Sequence, residues 1–220
     1  MAIVDSIMNL LTRQVISSLA ERVGAPASDV QMGIGTSVSA LLMAIANRAG
    51  DSGFVSQVFN LVKTADTRNI LDALPNLASG AAASSRAMEQ GLKLSSLLLR
   101  SQQSSIEDFI GRQSGLAADA GGELMSLAAA LTAGFLGHLI RETGLTALSF
   151  ADTIRSEASK IHGLLPPGLP NLLSGVSIPA TLDIVEATAT EGGGRKVAYA
   201  LIGLLLLTLI AWLVSRGCKV

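Results

Sequence analysis

Over the first 180 positions apolar residues recur mostly three and four apart, and the strict alternation of a half-buried strand is almost absent, so the pattern predicts helices. A first helix is expected over about residues 2–23, with Ile3, Ile7, Leu10 and Leu11 along one stripe. It ends at Gly24, the residue type that accepts the left-handed conformation past a helix end. Pro26 with Ser28-Asp29 opens a second helix, which runs to about Ala49-Gly50. Asp51-Ser52 starts a third, whose Phe54, Val55, Val58, Phe59 and Val62 fall on one face. Asp66 caps a short fourth, which Pro75 closes because the residue before a proline disfavours the helical region. A longer helix is expected over 81–103, and Ser104-Ser105-Ile106-Glu107 has the capping-box pattern for the next.

The same turn is spelled twice: LPNLASG at 74–80 and LPNLLSG at 169–175, 95 residues apart. Displacing the chain by 91 also lays the Gly24 to Asp29 stretch over Gly115 to Ala120, and Gly53 to Phe59 over Gly144 to Phe150. The larger offset at the turn then calls for four inserted residues, expected near Pro166-Pro167. This predicts an all-α bundle of two related multi-helix units, 1–80 and 104–180, joined by a connecting helix over 81–103. Two glycine-punctuated segments that coincide without being related are the competing reading. In this frame Pro75 and Asn76, and Pro170 and Asn171, are punctuation: the proline stops one segment, and the Asn side chain satisfies free amides of the next.

Past a linker over 181–196, rich in Gly192-Gly193-Gly194, the pattern changes. Residues 197–214, VAYALIGLLLLTLIAWLV, carry no charge for 18 positions, which as a helix nearly crosses a hydrocarbon core of ~30 Å. Arg195 and Lys196 flank one end, and Arg216 and Lys219, in the short tail 215–220, the other. Tyr199 and Trp212, the one Tyr and one Trp of the chain, sit near opposite ends, where amphipathic rings anchor at the headgroups. A single C-terminal transmembrane helix is expected, and the lipid bilayer is the expected partner. Met1 to Leu11 has Asp5 and no basic stretch ahead of its apolar residues, unlike a signal peptide. The helical body is therefore expected on the cytoplasmic side of a tail anchor. The flanking charges do not decide orientation, since each end carries two.

Residues 124–140, LMSLAAALTAGFLGHLI, are nearly as apolar and admit two readings: the buried central helix of the second unit, matching 34–46 in the first, or a second membrane segment. Gly33, Gly35, Gly134 and Gly137 suit close helix packing in either setting.

Composition narrows the chemistry. The chain has 220 residues, 49% hydrophobic and 15% charged, a net charge of -1 and one cysteine, Cys218, so neither an internal disulfide nor a cysteine zinc site is available. Up to Lys196 there are 14 basic against 17 acidic residues and no basic block, which argues against nucleic acid. His138 and His162 lie 24 positions apart with no ligand partner at helical spacing, and Glu107-Asp108 is accounted for by its place in a first helical turn. Gly33-Ile34-Gly35 follows no strand, which removes a phosphate loop. No metal, cofactor or catalytic constellation is expected. What remains is helical surface: Leu92, Leu94, Leu97, Leu98 and Leu99 on a Ser- and Gln-rich helix either bind a partner or a second copy, or pack at home between the units.

The glycine-ended first helix, the second opening at Ala27-Ser28-Asp29-Val30 and running through Val38-Ser39-Ala40-Leu41-Leu42, and the repeated Leu-Pro turn resemble the YidB-like family of bacterial helical domains of unknown function. The likeness covers about residues 1–175. Some members join this domain through a membrane segment to an OmpA-like domain, a part not expected within these 220 residues. The resemblance implies a bacterial envelope protein with a helical body, and supplies no catalytic residue. The expected role is a scaffold or interaction protein of the inner membrane; the competing one is a membrane-active protein whose central helices insert into the bilayer.

Overall fold

In the computed structural model residues 3–65, 85–117 and 120–174 are described. The C-terminal segment with Arg195, Lys196, Tyr199, Trp212, Arg216 and Lys219, and the first LPN turn with Pro75 and Asn76, lie outside them. Within the described residues all regular structure is helical: α1 (Ile3–Met8), α2 (Arg13–Val23), α3 (Ala27–Asn47), α4 (Ser52–Thr64), α5 (Ser85–Leu99), a 3-10 turn (Arg100–Gln102), α6 (Gln103–Gln113), α7 (Ala120–Thr143), α8 (Ala147–Leu164) and α9 (Leu169–Ser174).

Local chemistry explains where these helices start and stop. The single first helix expected over 2–23 is two. Although the apolar stripe continues across the break, the Thr12 hydroxyl accepts the Val15 amide at 3.3 Å and restarts the chain as α2. Gly24 then ends α2 with φ 69°, as expected, and Gly115 follows α6 with φ 68°. Asp51 caps α4 through the Phe54 amide at 3.0 Å. The capping box expected at Ser104 to Glu107 does not form. α6 begins at Gln103, straight from the 3-10 turn, and Glu107 instead accepts from the Gln103 side chain at 2.8 Å. The capping box present is between Thr146 and Ser149, at the start of α8.

α3 and α7 lie side by side at the centre, with α2 and α8 against α3, α5 and α6 against α7, and α4 bridging α7 and α8. One apolar cluster runs from Ile3 to Leu173 through every helix. Both halves of the described chain therefore share a core and form one compact unit. Phe59 and Phe150 meet edge to face across α4 and α8, with centroids 6.0 Å apart. Arg22 and Glu123 form an ion pair from α2 to α7.

The central helices carry one burial pattern twice. From Gly33 to Leu42, and from Leu124 to Ala133, the classes agree position by position, and each run is interrupted by one half-buried residue, Gly35 and Ser126. That is the displacement of 91. The caps that follow, Asp51 and Thr146, are displaced by 95 instead, because α7 ends at Thr143, five residues past the position 91 beyond Asn47, while the step from helix end to cap is one residue shorter. The four extra residues thus lie by the end of α7 and not at Pro166-Pro167. Gly53 and Gly144 are not equivalent: Gly53 lies inside α4, whereas Gly144 follows α7 with φ 65°.

Candidate functional site

The expected punctuation residues within the described chain fall differently from the sequence reading. Pro170 does not stop α8; it stands in the first turn of α9, where its missing N–H costs no hydrogen bond, and Asn171 follows it. The chain leaves α8 through Leu165 to Gly168, with Gly168 at φ 96° against the Phe109 ring. The Asn171 backbone carbonyl accepts from the Ser174 hydroxyl at 2.7 Å.

Of the residues weighed for catalysis, His138 and His162 are exposed on α7 and α8, and Asp108 is exposed on α6. Among the described residues no group of three His, Cys, Asp or Glu side chains stands together in a way that could hold a metal ion. The leucines of α5 pack at home for the most part: Leu94, Leu98 and Leu99 are fully buried and Leu97 is half-buried against the core. Leu92 alone is 45% exposed, so α5 offers no continuous apolar stripe to a partner.

Two features remain. The first is the central pair. α3 and α7 are each long and apolar enough to cross a membrane, with mean hydropathy 1.3 and 1.5 over their best 18-residue windows, of which 67% and 78% is buried within the protein. Three of their hydroxyls bond carbonyls one turn back in their own helices. Ser37 bonds the Gly33 carbonyl at 2.8 Å, Thr132 that of Ala128 at 2.7 Å, and Ser126 that of Gly122 at 2.9 Å. Helices so arranged need no outside partner for these hydroxyls, in a protein core or in lipid.

The second is the pair of C-terminal ends of α3 and α4, which lie at opposite ends of α4 and each receive an arginine. Arg155 donates to the Ala49 carbonyl at 2.8 Å and Arg141 to that of Ala65 at 3.3 Å, each placing positive charge where unpaired carbonyls gather. Arg48, directly after α3, is only 5% exposed. Its guanidinium lies 3.6 Å over the centre of the Phe54 ring and reaches Asp51 Oδ2 at 3.4 Å. Nε and Nη1 are buried without a hydrogen-bond partner. Burial, then the charge of Arg100, holds the Arg48 pKa below the usual arginine value, while Asp51 works against both. The Asp51 carboxyl is itself held below the ordinary aspartate range, first by the Phe54 amide, with Arg48 adding to it. Sequence reasoning missed the buried Arg48. Its trace was an arginine just beyond an 18-residue uncharged run, with an aspartate three positions on.

A family model described as "Bacterial protein of unknown function (DUF937)" matches residues 5–138. The chain belongs to this bacterial family. It is the same family as the YidB-like one that the helix punctuation resembles, though the match is shorter than the likeness read from sequence, reaching from α1 to His138 near the end of α7. The DUF937 stretch therefore contains α3 and α7 as far as His138, and leaves out α8 and α9. Curated proteins and solved structures yield no match to the chain.

Proposed function

We propose that this DUF937 protein is a membrane-anchored helical interaction protein of the bacterial cell envelope, single-pass in the inner membrane with its body on the cytoplasmic side. The observation that carries the reading is the uncharged stretch 197–214, framed by Arg195, Lys196 and Tyr199 at one end and Trp212, Arg216 and Lys219 at the other. In this reading the body is two related helical units sharing one core, supported by the burial pattern that recurs at 91 residues. Its outer helices present surface to a protein partner or a second copy.

A second reading is favoured by α3 and α7, whose length and hydropathy suit a bilayer. There the body opens and the central pair inserts. Deleting residues 195–220 separates the two. The anchored-scaffold reading expects the full chain in the membrane fraction, and the truncated body monodisperse in water and inert towards liposomes. A truncated body that partitions into liposomes and releases an entrapped dye would replace it with the inserting one.

A further inference from the structure

We infer that the body is a pair of like units about an approximate twofold axis, and that Gly33 and Leu124 form a lock at that axis. The lock makes each unit pair with its unlike neighbour in the same chain and not with its own kind in a second copy. The displacement of 91 reaches beyond the central helices. Ile3, Val4 and Ile7 of α1 are buried, and so are Leu94, Ser95 and Leu98 at the end of α5; the buried Val15 and Leu19 of α2 recur as Ile106 and Ile110 of α6. The break before α2 recurs as the 3-10 turn before α6, and Gly24 and Gly115, which follow the two helices, have φ 69° and 68°. Each unit is thus a run of four helices: α1 to α4, and the end of α5 with α6 to α8.

The fourth helices cross over. α4 packs on α7 and α8 on α3, each on the central helix of the other unit rather than on the one it follows. Such reciprocal packing is how a twofold-related pair holds together, and in it a residue touches its own equivalent only at the axis. Gly33 and Leu124 are equivalent at 91 and meet there: a Cβ on Gly33 would stand 2.7 Å from Leu124 Cδ1. Leu124 is fully buried, its tip in the space that the glycine leaves.

This contact distinguishes the possible pairings. The first unit with the second sets leucine against glycine. The first with another first sets glycine against glycine and leaves a void, while the second with another second sets two leucines where one already needs a glycine opposite. Both like pairings therefore cost packing. Charge points the same way. Arg22 of α2 pairs with Glu123 of α7, and the equivalents of these two residues are Gln113 and Met32, so neither like pairing rebuilds the ion pair.

The lock rests on the two-unit body proposed above and not on the anchor, and both of its tests use the full chain in neutral detergent without reading membrane placement. Gly33→Leu alone is expected to lower the Tm by about 10 °C, and Leu124→Gly by at least about as much. The two together exchange knob and hole across the axis, and the double variant is expected to melt above either single one. If the positions were not equivalent the losses would add, so a double variant that does not exceed both overturns the axis.

Gly33→Ala with Leu124→Ala makes the axis residues alike, and Glu123→Gln removes the ion pair. With an effective concentration within one chain on the order of millimolar, about a tenth of this triple variant is expected as dimer after refolding from urea at about 0.1 mM, at least about ten times the fraction for wild type treated alike. Sedimentation velocity reads the fraction. A triple variant no more dimeric than wild type overturns the lock. Should Gly33→Leu fail to fold, the refolding experiment decides.

Discussion

Asp51 shows how one side chain serves two neighbours. Its Oδ1 accepts the Phe54 amide and starts α4, while Oδ2 faces the guanidinium of Arg48. Both favour the ionised form, so the folded pKa lies below the ordinary value of 3.8. A carboxyl depressed on folding contributes stability that is complete above its unfolded pKa and is lost as pH falls through its folded one. Asp51→Asn keeps an acceptor for the amide but removes the charge. Wild type should exceed the variant in stability by a constant margin above about pH 5, and the margin should shrink below about pH 4. Denaturant unfolding at a series of pH values checks this; a margin that does not change with pH would mean that the charge of Asp51 contributes nothing. The aspartate was legible from sequence as a cap, because capping is local. Its link to a buried arginine was not, because the burial of Arg48 depends on where α5 and α8 pack.

At the scale of helices, α5 lies close against α7. A Cβ on Gly91 would sit 2.7 Å from both the Ala130 nitrogen and the Ser126 carbonyl oxygen, which are backbone atoms and cannot swing aside. Gly91→Ala should therefore lower stability by about 2 kcal/mol, even after alanine's better helix propensity offsets part of the strain. Gly163, near the end of α8, has nothing within 4 Å of the same position, so Gly163→Ala should be neutral or slightly stabilising. Comparing the two variants by thermal melting checks the argument, and equal effects would show that α5 and α7 are not held this closely. Sequence could not distinguish these two glycines. Gly91 stands in a Ser- and Gln-rich helix with no signal of its own, and its demand comes from a helix about forty residues away. The elements were legible where the cue was local, as at Gly24 and Asp51. They were misread where a stripe continued through a break at Thr12, or where a cap motif at Ser104 was overridden by a helix already under way.

For the molecule as a whole, the repeated pattern and the shared core make different demands. The run from Gly33 to Leu42 recurs at Leu124 to Ala133, as if each unit had a centre of its own, yet α3 and α7 pack on each other and one apolar cluster spans both. The recurring pattern was legible in the sequence and the shared core was not, since contacts between distant stretches leave no local mark. If the merger governs stability, the body unfolds as one. Leu41→Ala and Leu131→Ala remove fully buried side chains from the two central helices, and each should cost about 2–5 kcal/mol. Each should also lower the same single transition, with amide protection lost together in α2 to α4 and in α6 to α8. Hydrogen exchange under mild denaturant makes the distinction. If Leu41→Ala released only α1 to α4 while α6 to α8 stayed protected, each unit would own its core, and the packing of α3 on α7 would be an interface between two separately stable pieces.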